Sequence, residues 1–314
     1  MSTSLAPSAP HIQRVSPLRI EELVDKFIAD QDVRQSSKLL YRRTLKQYFN
    51  WIDQQGLSLS EITREEVLSY KQDLLGSGMS SLTVGSYITV VRKFYEWAEA
   101  HKLYPNVAKG VKTPARKQQF RKQPLHPDQA ASLLSYYQGK ALRDYAIVNL
   151  LLRTGLRTVE VSRARVEDIQ YKGSQRVLLV QGKGRDERDN FVLLTEKAYQ
   201  PIADYLATRG KVKGSEPLFT SSSNNSKGAT LTTRTISQIA KDGLRAIGLD
   251  ERSFTAHSLR HTAIVNCRRA GGTLEQAQGM ARHTNPATTQ IYDAIFREEQ
   301  RLQNSGEALI DKLY

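Results

Sequence analysis

The sequence has little cysteine and no long apolar run. Cys267 is the single cysteine among 314 residues, so no intrachain disulfide can form and we expect a reducing compartment. No apolar run reaches the roughly 20 residues that a transmembrane helix requires. The first residues are rich in Ser, Ala and Pro and lack the apolar core of a signal peptide. We therefore expect a cytoplasmic protein with no membrane partner, in which residues 1–16 form a mobile arm.

Acidic residues are also scarce relative to basic ones. The chain has 32 Asp and Glu against 46 Lys and Arg, a formal net charge of +14 and a pI near 9.8. Such a charge attracts polyanions, and nucleic acid is the leading candidate, although a merely basic soluble protein remains an alternative. The length is sufficient for two domains with cores of their own.

The first hundred residues predict four helices. Apolar residues recur with helical spacing between Leu18 and Gln31. A second helix is predicted from an N-cap at Ser36 or Ser37 through Trp51. Its predicted inner face consists of Leu40, Tyr41, Leu45, Tyr48 and Phe49.

The third and fourth helices carry clearer start signals. Thr63 followed by Glu66 is a capping-box pattern, and Ser80 or Ser81 is the expected cap of the fourth helix. The predicted inward residues of that fourth helix are Tyr87, Val91, Phe94, Tyr95 and Ala98. The pattern favours a compact four-helix unit.

Basic residues on these helices are candidates for contact with DNA phosphates, although a solvated charged face is the simpler interpretation. They are Lys38, Arg42, Arg43, Lys46, Arg92 and Lys93. Residues 105–124 have no regular apolar period and no acid, which is typical of a linker between domains. This linker could follow DNA or merely improve solubility; its candidate DNA contacts are Arg116, Lys117, Arg121 and Lys122.

The second half begins with helices and then changes to strands. The segment from Tyr145 to Leu152 is nearly all apolar and predicts a buried helix, which ends in a turn at Thr154-Gly155. Arg157 starts the next helix beside free backbone N–H groups, a favourable setting for a phosphate, and Glu160 lies one turn on. Residues 176–181 and 190–194 predict a hairpin with Lys183 near its tip. An exposed lysine in a turn is the simpler reading, and the spacing is not that of a nucleotide-binding loop.

The stretch from His257 to Tyr292 carries the densest chemistry. His257, Arg260 and His261 have the three- and four-residue spacing that places side chains on one helical face. A guanidinium suits a phosphate, and imidazoles can move protons. His283 follows, and Tyr292 is predicted on a short helix. The two histidines could instead be half of a zinc site, but Ser258 stands where the metalloprotease signature has Glu. Tyr292 taken singly is more often a packing residue.

Taken in order, these motifs resemble the tyrosine recombinases, also called phage integrases. The residues that carry the resemblance are TGLRTVE around Arg157, QGKGR around Lys183, HSLRH, the late ARH and Tyr292. The family implies a mainly α fold with a small β-sheet. It further implies a helical, SAM-like core-binding domain at 17–104, a basic linker at 105–124, and an α/β catalytic domain at 125–314 with a docking tail at 297–314. The two domains would form a C-shaped clamp on DNA.

The resemblance also implies a role for each site residue. Tyr292 would be the nucleophile that forms a 3′-phosphotyrosyl bond and releases a 5′-hydroxyl. Arg157 and Arg260 would hold the scissile phosphate, and Lys183 would protonate the leaving oxygen. His257 and His283 would act in proton transfer or phosphate binding. Glu160 would support Arg157, and His261 would lie behind the residues that contact the phosphate. The chain departs from the family at Ala281-Arg282-His283, where Leu-Gly-His is usual.

The family's reaction implies no cofactor, metal or ATP, because the phosphotyrosyl link conserves the bond energy. It implies double-stranded DNA with an inverted-repeat core site as partner, a homotetramer on two such sites, and a Holliday junction intermediate. Accessory DNA-bending proteins and the docking of the tail in cis or in trans are left open. We expect integration and excision of a mobile element. The alternatives are Xer-like dimer resolution, a catalytically silent DNA-binding protein, and a type IB topoisomerase acting alone.

Overall fold

The computed structural model describes residues 17–115, 122–182 and 187–313, with side chains from residue 20 onward. The chain divides into two compact units, with the division between residues 119 and 120. Arg116, Lys117, Arg121 and Lys183, four of the residues singled out above, lie outside the described residues. No described helix is long and apolar enough to cross a membrane.

The first unit contains the four predicted helices. They are α1 Pro17–Asp30, α2 Gln35–Gln54, α3 Arg64–Gly76 and α4 Ser81–Ala100, with a 3-10 turn at Leu59–Glu61. The predicted caps of α3 and α4 are confirmed: the Thr63 and Ser80 hydroxyls accept backbone N–H bonds, and the Thr63 N–H donates to Glu66 Oε2 over 2.7 Å. Each cap therefore satisfies amide groups that the first helical turn leaves without partners.

Two predictions for α2 were wrong. The helix begins at Gln35 after an extended Arg34 that makes no side-chain cap, so Ser36 and Ser37 lie inside the first turn. Leu40 is 41% exposed, because the buried stripe of α2 runs through residues farther along the helix. That stripe consists of Thr44, Leu45, Tyr48, Phe49 and Ile52.

Aromatic rings fill the core of this unit. The Tyr48 and Tyr95 hydroxyls hydrogen-bond over 2.9 Å inside the core, and burial raises the pKa of both phenols. Ala108 and Val111, which fall in the predicted linker, are buried in the same core. The Arg64 guanidinium also donates to the carbonyl of Lys109. The chain as far as Val111 therefore packs as part of the first unit.

The second unit is a helical domain with one small sheet. Its helices are α5 Pro127–Tyr137, α6 Leu142–Thr154, α7 Thr158–Arg163, α8 Glu196–Thr208, α9 Thr233–Ala246, α10 Ala256–Arg269, α11 Leu274–Ala281, α12 Pro286–Gln303 and α13 Gly306–Ile310. Its strands are β1 Ile169–Lys172, β2 Gln175–Val180 and β3 Asn190–Leu193, antiparallel in the order β1-β2-β3. Helix α6 is buried along most of its length, as its apolar sequence predicts, and packs against α8 and α10.

Strand β1 was not predicted from the sequence. Its four residues are mostly exposed and show no apolar alternation, so the segment reads as the end of a helix. Pairing with β2, in which Ile169 lies opposite Leu178, supplies the backbone partners that make it an edge strand. The strand is therefore a product of its neighbour rather than of its own side chains.

The helix that carries Tyr292 is longer than predicted. Asn285 caps it, Pro286 occupies its first turn, and it continues for 18 residues to Gln303. The following α13 is capped by Ser305, so the chain breaks just before Gly306 rather than at it. The apolar residues at this end of the chain are exposed: Leu302, Leu309, Ile310 and Leu313.

Candidate active site

A tight turn between α6 and α7 positions Arg157. Gly155 ends α6 with φ +61°, a conformation that favours glycine, and a Cβ there would lie 3.5 Å from that of Ala263 on α10. Arg157 then caps α7, and its side chain is 32% exposed. The Glu160 carboxylate, buried one turn on, accepts the Arg157 backbone N–H over 2.7 Å and its Nη1 over 3.1 Å. The ion pair expected from the spacing is present.

Arg260 is the most buried cation of the site, with 1% of its surface exposed. Its Nη1 donates to the Gly155 carbonyl and its Nη2 to the Ala281 carbonyl over 2.6 Å. One guanidinium thus joins α10 to the turn before Arg157 and to the turn before His283. Burial, followed by repulsion from Arg157 and Arg282, lowers the pKa of Arg260 to about 10, so it stays protonated at neutral pH.

His257 and His261 lie one turn apart on α10, as their spacing predicts, with ring centroids 4.5 Å apart. The His261 ring is buried, and its Nδ1 lies 3.1 Å from the Lys122 carbonyl, to which it donates. Desolvation lowers the pKa of His261 to about 3 and, with the charges of Arg260 and Arg157, also lowers that of His257, which lies at the exposed edge. Both rings are therefore neutral near pH 7.

Tyr292 lies between two imidazoles. Its ring centroid is 4.8 Å from that of His261, edge to face, and 5.8 Å from that of His283, stacked at 14°. The Nδ1 of His283 is 2.9 Å from the Thr289 hydroxyl. Desolvation, followed by Arg260 and Arg157, lowers the pKa of His283 to about 4, whereas burial raises the pKa of the Tyr292 phenol against the opposing pull of the same arginines. The phenol is therefore protonated in the free protein and needs a proton acceptor in order to react.

Ion pairs hold the helix that carries Tyr292. Asp293 is buried and accepts from Arg268 Nε over 2.8 Å and from Arg297 Nε over 2.6 Å. Arg269 of α10 pairs with Glu299 over 2.5 Å. These contacts join α10 to α12. The sequence did not predict them, because it gives no sign that carboxylates at these positions are anything but solvent-exposed until the packing of the two helices is known.

A cavity of about 760 Å³ opens beside Arg157 and His283. The residues that line it are Arg157, Glu160, Gly182, Asn190, Glu275, Gln278, Gly279, Arg282, His283 and Thr284. Gly182 comes directly before Lys183 in the chain, while Lys183 itself lies outside the described residues. Within the described ranges, no three His, Cys, Asp or Glu residues are grouped so that they could hold a metal ion.

The predicted DNA-contact residues of the first unit lie on α2 and α4. Arg43, Lys46, Arg92 and Lys93 are exposed, and Lys38 is partly so. Arg42 is exposed as well, but it pairs with Asp25 and borders a second cavity together with Lys46, Glu21 and Asp53. Its charge is therefore partly neutralised, which makes it the weakest candidate of this set. In the second unit, Lys122 donates to the Arg252 carbonyl.

Both units match known families. Residues 123–299 match the model of the phage integrase family, and residues 20–102 match that of the phage integrase N-terminal SAM-like domain. Tyrosine recombinase XerC of Pelobacter propionicus is 30% identical over 227 residues, which cover 70% of this chain and 71% of that protein. Tyrosine recombinase XerD of Rickettsia bellii is 25% identical over 287 residues, covering 87% of this chain and 92% of that protein.

Solved structures share the fold at lower identity. XerH recombinase bound to a palindromic difH substrate in a post-cleavage complex matches with a TM-score of 0.74 at 18% identity, covering 93% of this chain and 85% of that one. The Tn1549 transposon integrase in complex with transposon right end DNA matches with a TM-score of 0.67 at 18% identity. The match covers 91% of this chain and 99% of that one. The predicted architecture, a helical domain before a mainly helical domain with a small sheet, is confirmed.

Proposed function

The chain belongs to the phage integrase family of tyrosine recombinases, enzymes that break and rejoin DNA strands in site-specific recombination, and on that premise we propose that Tyr292 is its nucleophile. The observation that carries the proposal is the convergence of Arg260, His261, His283 and Tyr292 from α10, the α11–α12 turn and α12. Arg157 borders the adjoining cavity, where a DNA phosphate would bind.

In the proposed reaction the Tyr292 oxygen attacks phosphorus, and the bond from phosphorus to the 5′ oxygen breaks. Arg157 and Arg260 stabilise the charge on the remaining phosphate oxygens. The phenol proton goes to a neutral imidazole, His257 or His283; on His283 this requires the tautomer in which Nδ1–H donates to the Thr289 hydroxyl and Nε2 is free to accept. Lys183 donates a proton to the leaving 5′ oxygen. Attack by a 5′-hydroxyl on the 3′-phosphotyrosyl bond reverses these steps.

The assembly proposed for this reaction is a homotetramer on two double-stranded DNA sites with inverted-repeat cores. Strand exchange in this assembly would pass through a Holliday junction. The exposed apolar residues Leu302, Leu309 and Ile310 would dock on a neighbouring subunit. Contacts from Arg43, Lys46, Arg92 and Lys93 to phosphates would position the first unit.

For the biological role, we propose integration and excision of a mobile element. Xer-like resolution of DNA dimers is the second candidate, because the two relatives quoted above are XerC and XerD recombinases by name. Sequencing of genomic fragments captured covalently by the protein distinguishes them. Fragments from the ends of a mobile element support the first role, and a single site shared by chromosomes or plasmids supports the second.

The nucleophile is tested by covalent capture. A random-sequence duplex library, nicked at its centre so that cleavage cannot reverse, is incubated with the full-length protein and washed under denaturing conditions. We expect wild type to retain DNA and Tyr292→Phe to retain at least about 1,000-fold less, because the attacking oxygen is missing. Tyr136→Phe, which removes a hydroxyl elsewhere in the second unit, should retain as much DNA as wild type. Tight DNA binding by wild type without any adduct would contradict the proposal and support a silent DNA-binding protein.

A further inference from the structure

Arg282 occupies a backbone conformation that side chains rarely adopt. It ends α11 with φ +54° and ψ +45°, in the left-handed region where glycine is usual. Its side chain is nevertheless 7% exposed, so the guanidinium is buried at a position where a side chain is unfavourable. Among the described residues, Lys102 is the only other non-glycine with positive φ, and it is exposed. A buried arginine in this strained position needs a compensating interaction.

That interaction is with the carboxylate that holds Arg157. Arg282 Nη2 donates to Glu160 Oε2 over 2.7 Å, and Nη1 donates to the Met280 carbonyl over 2.8 Å. The same Oε2 accepts the Arg157 backbone N–H, and Oε1 accepts Arg157 Nη1. A single buried carboxylate is therefore shared by two guanidinium groups, both of which belong to residues that line the cavity.

The guanidinium groups of Arg282 and Arg157 differ in burial and in their distance from the Glu160 carboxylate. Glu160 is 1% exposed, and its bond to Arg282 is a short, charge-assisted contact between two buried groups. Arg157 is 32% exposed and bonds to Glu160 Oε1 over 3.1 Å. Burial acts to raise the pKa of Glu160, but the charge of Arg282, followed by the Arg157 backbone hydrogen bond and the charges of Arg157 and Arg260, holds that pKa below its ordinary value. The carboxylate is thus fixed by the Arg282 guanidinium and by the Arg157 backbone N–H, while the partly exposed Arg157 guanidinium lines the cavity.

The turn that carries Arg282 also touches the other proposed phosphate ligand. The carbonyl of Ala281 accepts Arg260 Nη2, and His283 follows directly and stacks on Tyr292. Three consecutive residues therefore contact Arg260, Glu160 and Tyr292 in turn. A change in this turn would therefore alter the surroundings of Arg260 and Tyr292 directly, and those of Arg157 through Glu160.

We propose that Arg282 is a positioning residue for DNA cleavage: it fixes the Glu160 carboxylate, which in turn orients Arg157 toward the scissile phosphate. The inference rests on the proposed function, because it assumes that Arg157 binds that phosphate. Arg282 itself contacts no reacting atom in this scheme. Its removal should leave Glu160 held by Arg157 alone, through the backbone N–H and Nη1, so that nothing anchors the carboxylate from α11. A misplacement on the order of 1 Å can slow a reaction about 100-fold.

The test uses the full-length protein and a nicked duplex carrying the sequence recovered by covalent capture. Single-turnover adduct formation at saturating DNA gives the cleavage rate, and titration gives the Kd. Arg282→Gly removes the guanidinium and relieves the backbone; Lys102→Gly makes the matched backbone change in the first unit. We expect Arg282→Gly to cleave about 10- to 100-fold more slowly with Kd within about threefold of wild type, and Lys102→Gly to match wild type.

Further experiments distinguish a positioning role of Arg282 from a role in folding. Added guanidinium at millimolar concentration should partly restore Arg282→Gly through the adjoining cavity, whereas urea, which has the same shape without the charge, should not. In a Glu160→Gln background, Arg282→Gly should cause less than about threefold further loss, because the residue through which it acts is already altered. Arg282→Lys, which supplies one point charge in place of a fork, should be intermediate.

The outcomes are distinct. A wild-type cleavage rate in Arg282→Gly, a loss confined to Kd, or equal losses in the wild-type and Glu160→Gln backgrounds would each overturn the inference. Thermal unfolding checks that the variants are folded at the assay temperature; should Arg282→Gly be unfolded, Arg282→Lys is judged by the same criteria. A wild type that binds DNA and forms no adduct overturns the proposed function, and this inference with it.

Discussion

At the scale of single residues, the site is a group of neutral imidazoles surrounded by fixed cations. Burial and the charges of Arg260 and Arg157 hold the pKa of His283 near 4, below the ordinary value of about 6.5. Burial, followed by the neighbouring His257 and Arg260, holds the pKa of His261 near 3. A neutral ring can accept the proton that the Tyr292 phenol must lose. The same burial that raises the pKa of the phenol therefore keeps its proposed acceptors unprotonated.

These shifts predict a loss of stability in mild acid. The folded protein binds fewer protons than the unfolded chain between pH 6.5 and about 4, so stability is full above pH 6.5 and falls as pH approaches 4. We expect a loss on the order of 2 kcal/mol across this window, measured by denaturant unfolding. The lowered pKa of Glu160 acts in the same direction, but only below its ordinary value near 4.5.

The control for this prediction is His283→Gln, whose amide can still bond to Thr289 without titrating. Its unfolding free energy should vary less with pH between 6.5 and 4 than that of wild type. An identical pH dependence in the two proteins would mean that His283 titrates alike in the folded and unfolded states, contrary to its burial among cations.

At the scale of elements, the placement of α12 depends on its ion pairs with α10. Asp293 lies next to Tyr292 in the chain and is 3% exposed. Arg268 reaches it from α10 with 20% of its side chain exposed, whereas Arg297 on α12 itself is 76% exposed. The Arg268 pair is thus the stronger of the two, because solvent screens the Arg297 pair.

Asp293→Asn should therefore loosen the helix that carries the nucleophile. We expect a destabilisation of about 1–3 kcal/mol, since the partly buried Arg268 guanidinium loses its charged partner. Hydrogen exchange of the α12 amides should accelerate, and adduct formation should slow. Arg301→Gln removes a pair with Glu307 in which both side chains are largely exposed, and it should change neither measurement. Unchanged exchange of α12 in Asp293→Asn would show that other contacts hold the helix in place.

At the scale of the whole molecule, the two units have separate cores. The core of the first unit runs from Val24 to Val111 and that of the second from Leu125 to Leu259, so the two share no residue. Two separate cores allow each unit to fold by itself. A small, all-helical unit should also fold quickly.

We accordingly expect residues 17–115 to fold when expressed alone. Denaturant unfolding of this fragment should be a single cooperative transition with a free energy of about 5 kcal/mol or more. Leu45→Ala, at a fully buried position, should lower that value by about 2–5 kcal/mol. Leu82→Ala, at a position that is 52% exposed, should change it by less than about 0.5 kcal/mol. A fragment without a cooperative transition would mean that the first unit depends on the second.

Local sequence determined most of the elements of this protein and the types of its site residues. Capping at Thr63 and Ser80, the buried α6 and the shared face of His257, Arg260 and His261 were readable because capping and helical spacing act within about four residues. The family resemblance then supplied the order of the two units and the roles proposed for the site. Weak local signals failed, as at the Ser36 cap and in the length of the Tyr292 helix.

Tertiary structure alone decided which of these groups meet. Arg260 bonds to a carbonyl 105 residues away, and Arg282 to a carboxylate 122 residues away. Strand β1 exists through its pairing with β2, and Asp293 became a buried ion-pair partner only once α10 and α12 packed together. No spacing rule reaches across such separations. The energy of each contact comes from excluding water around groups that the chain brings together by folding, so it is encoded in the packing of the domain and not in any short segment.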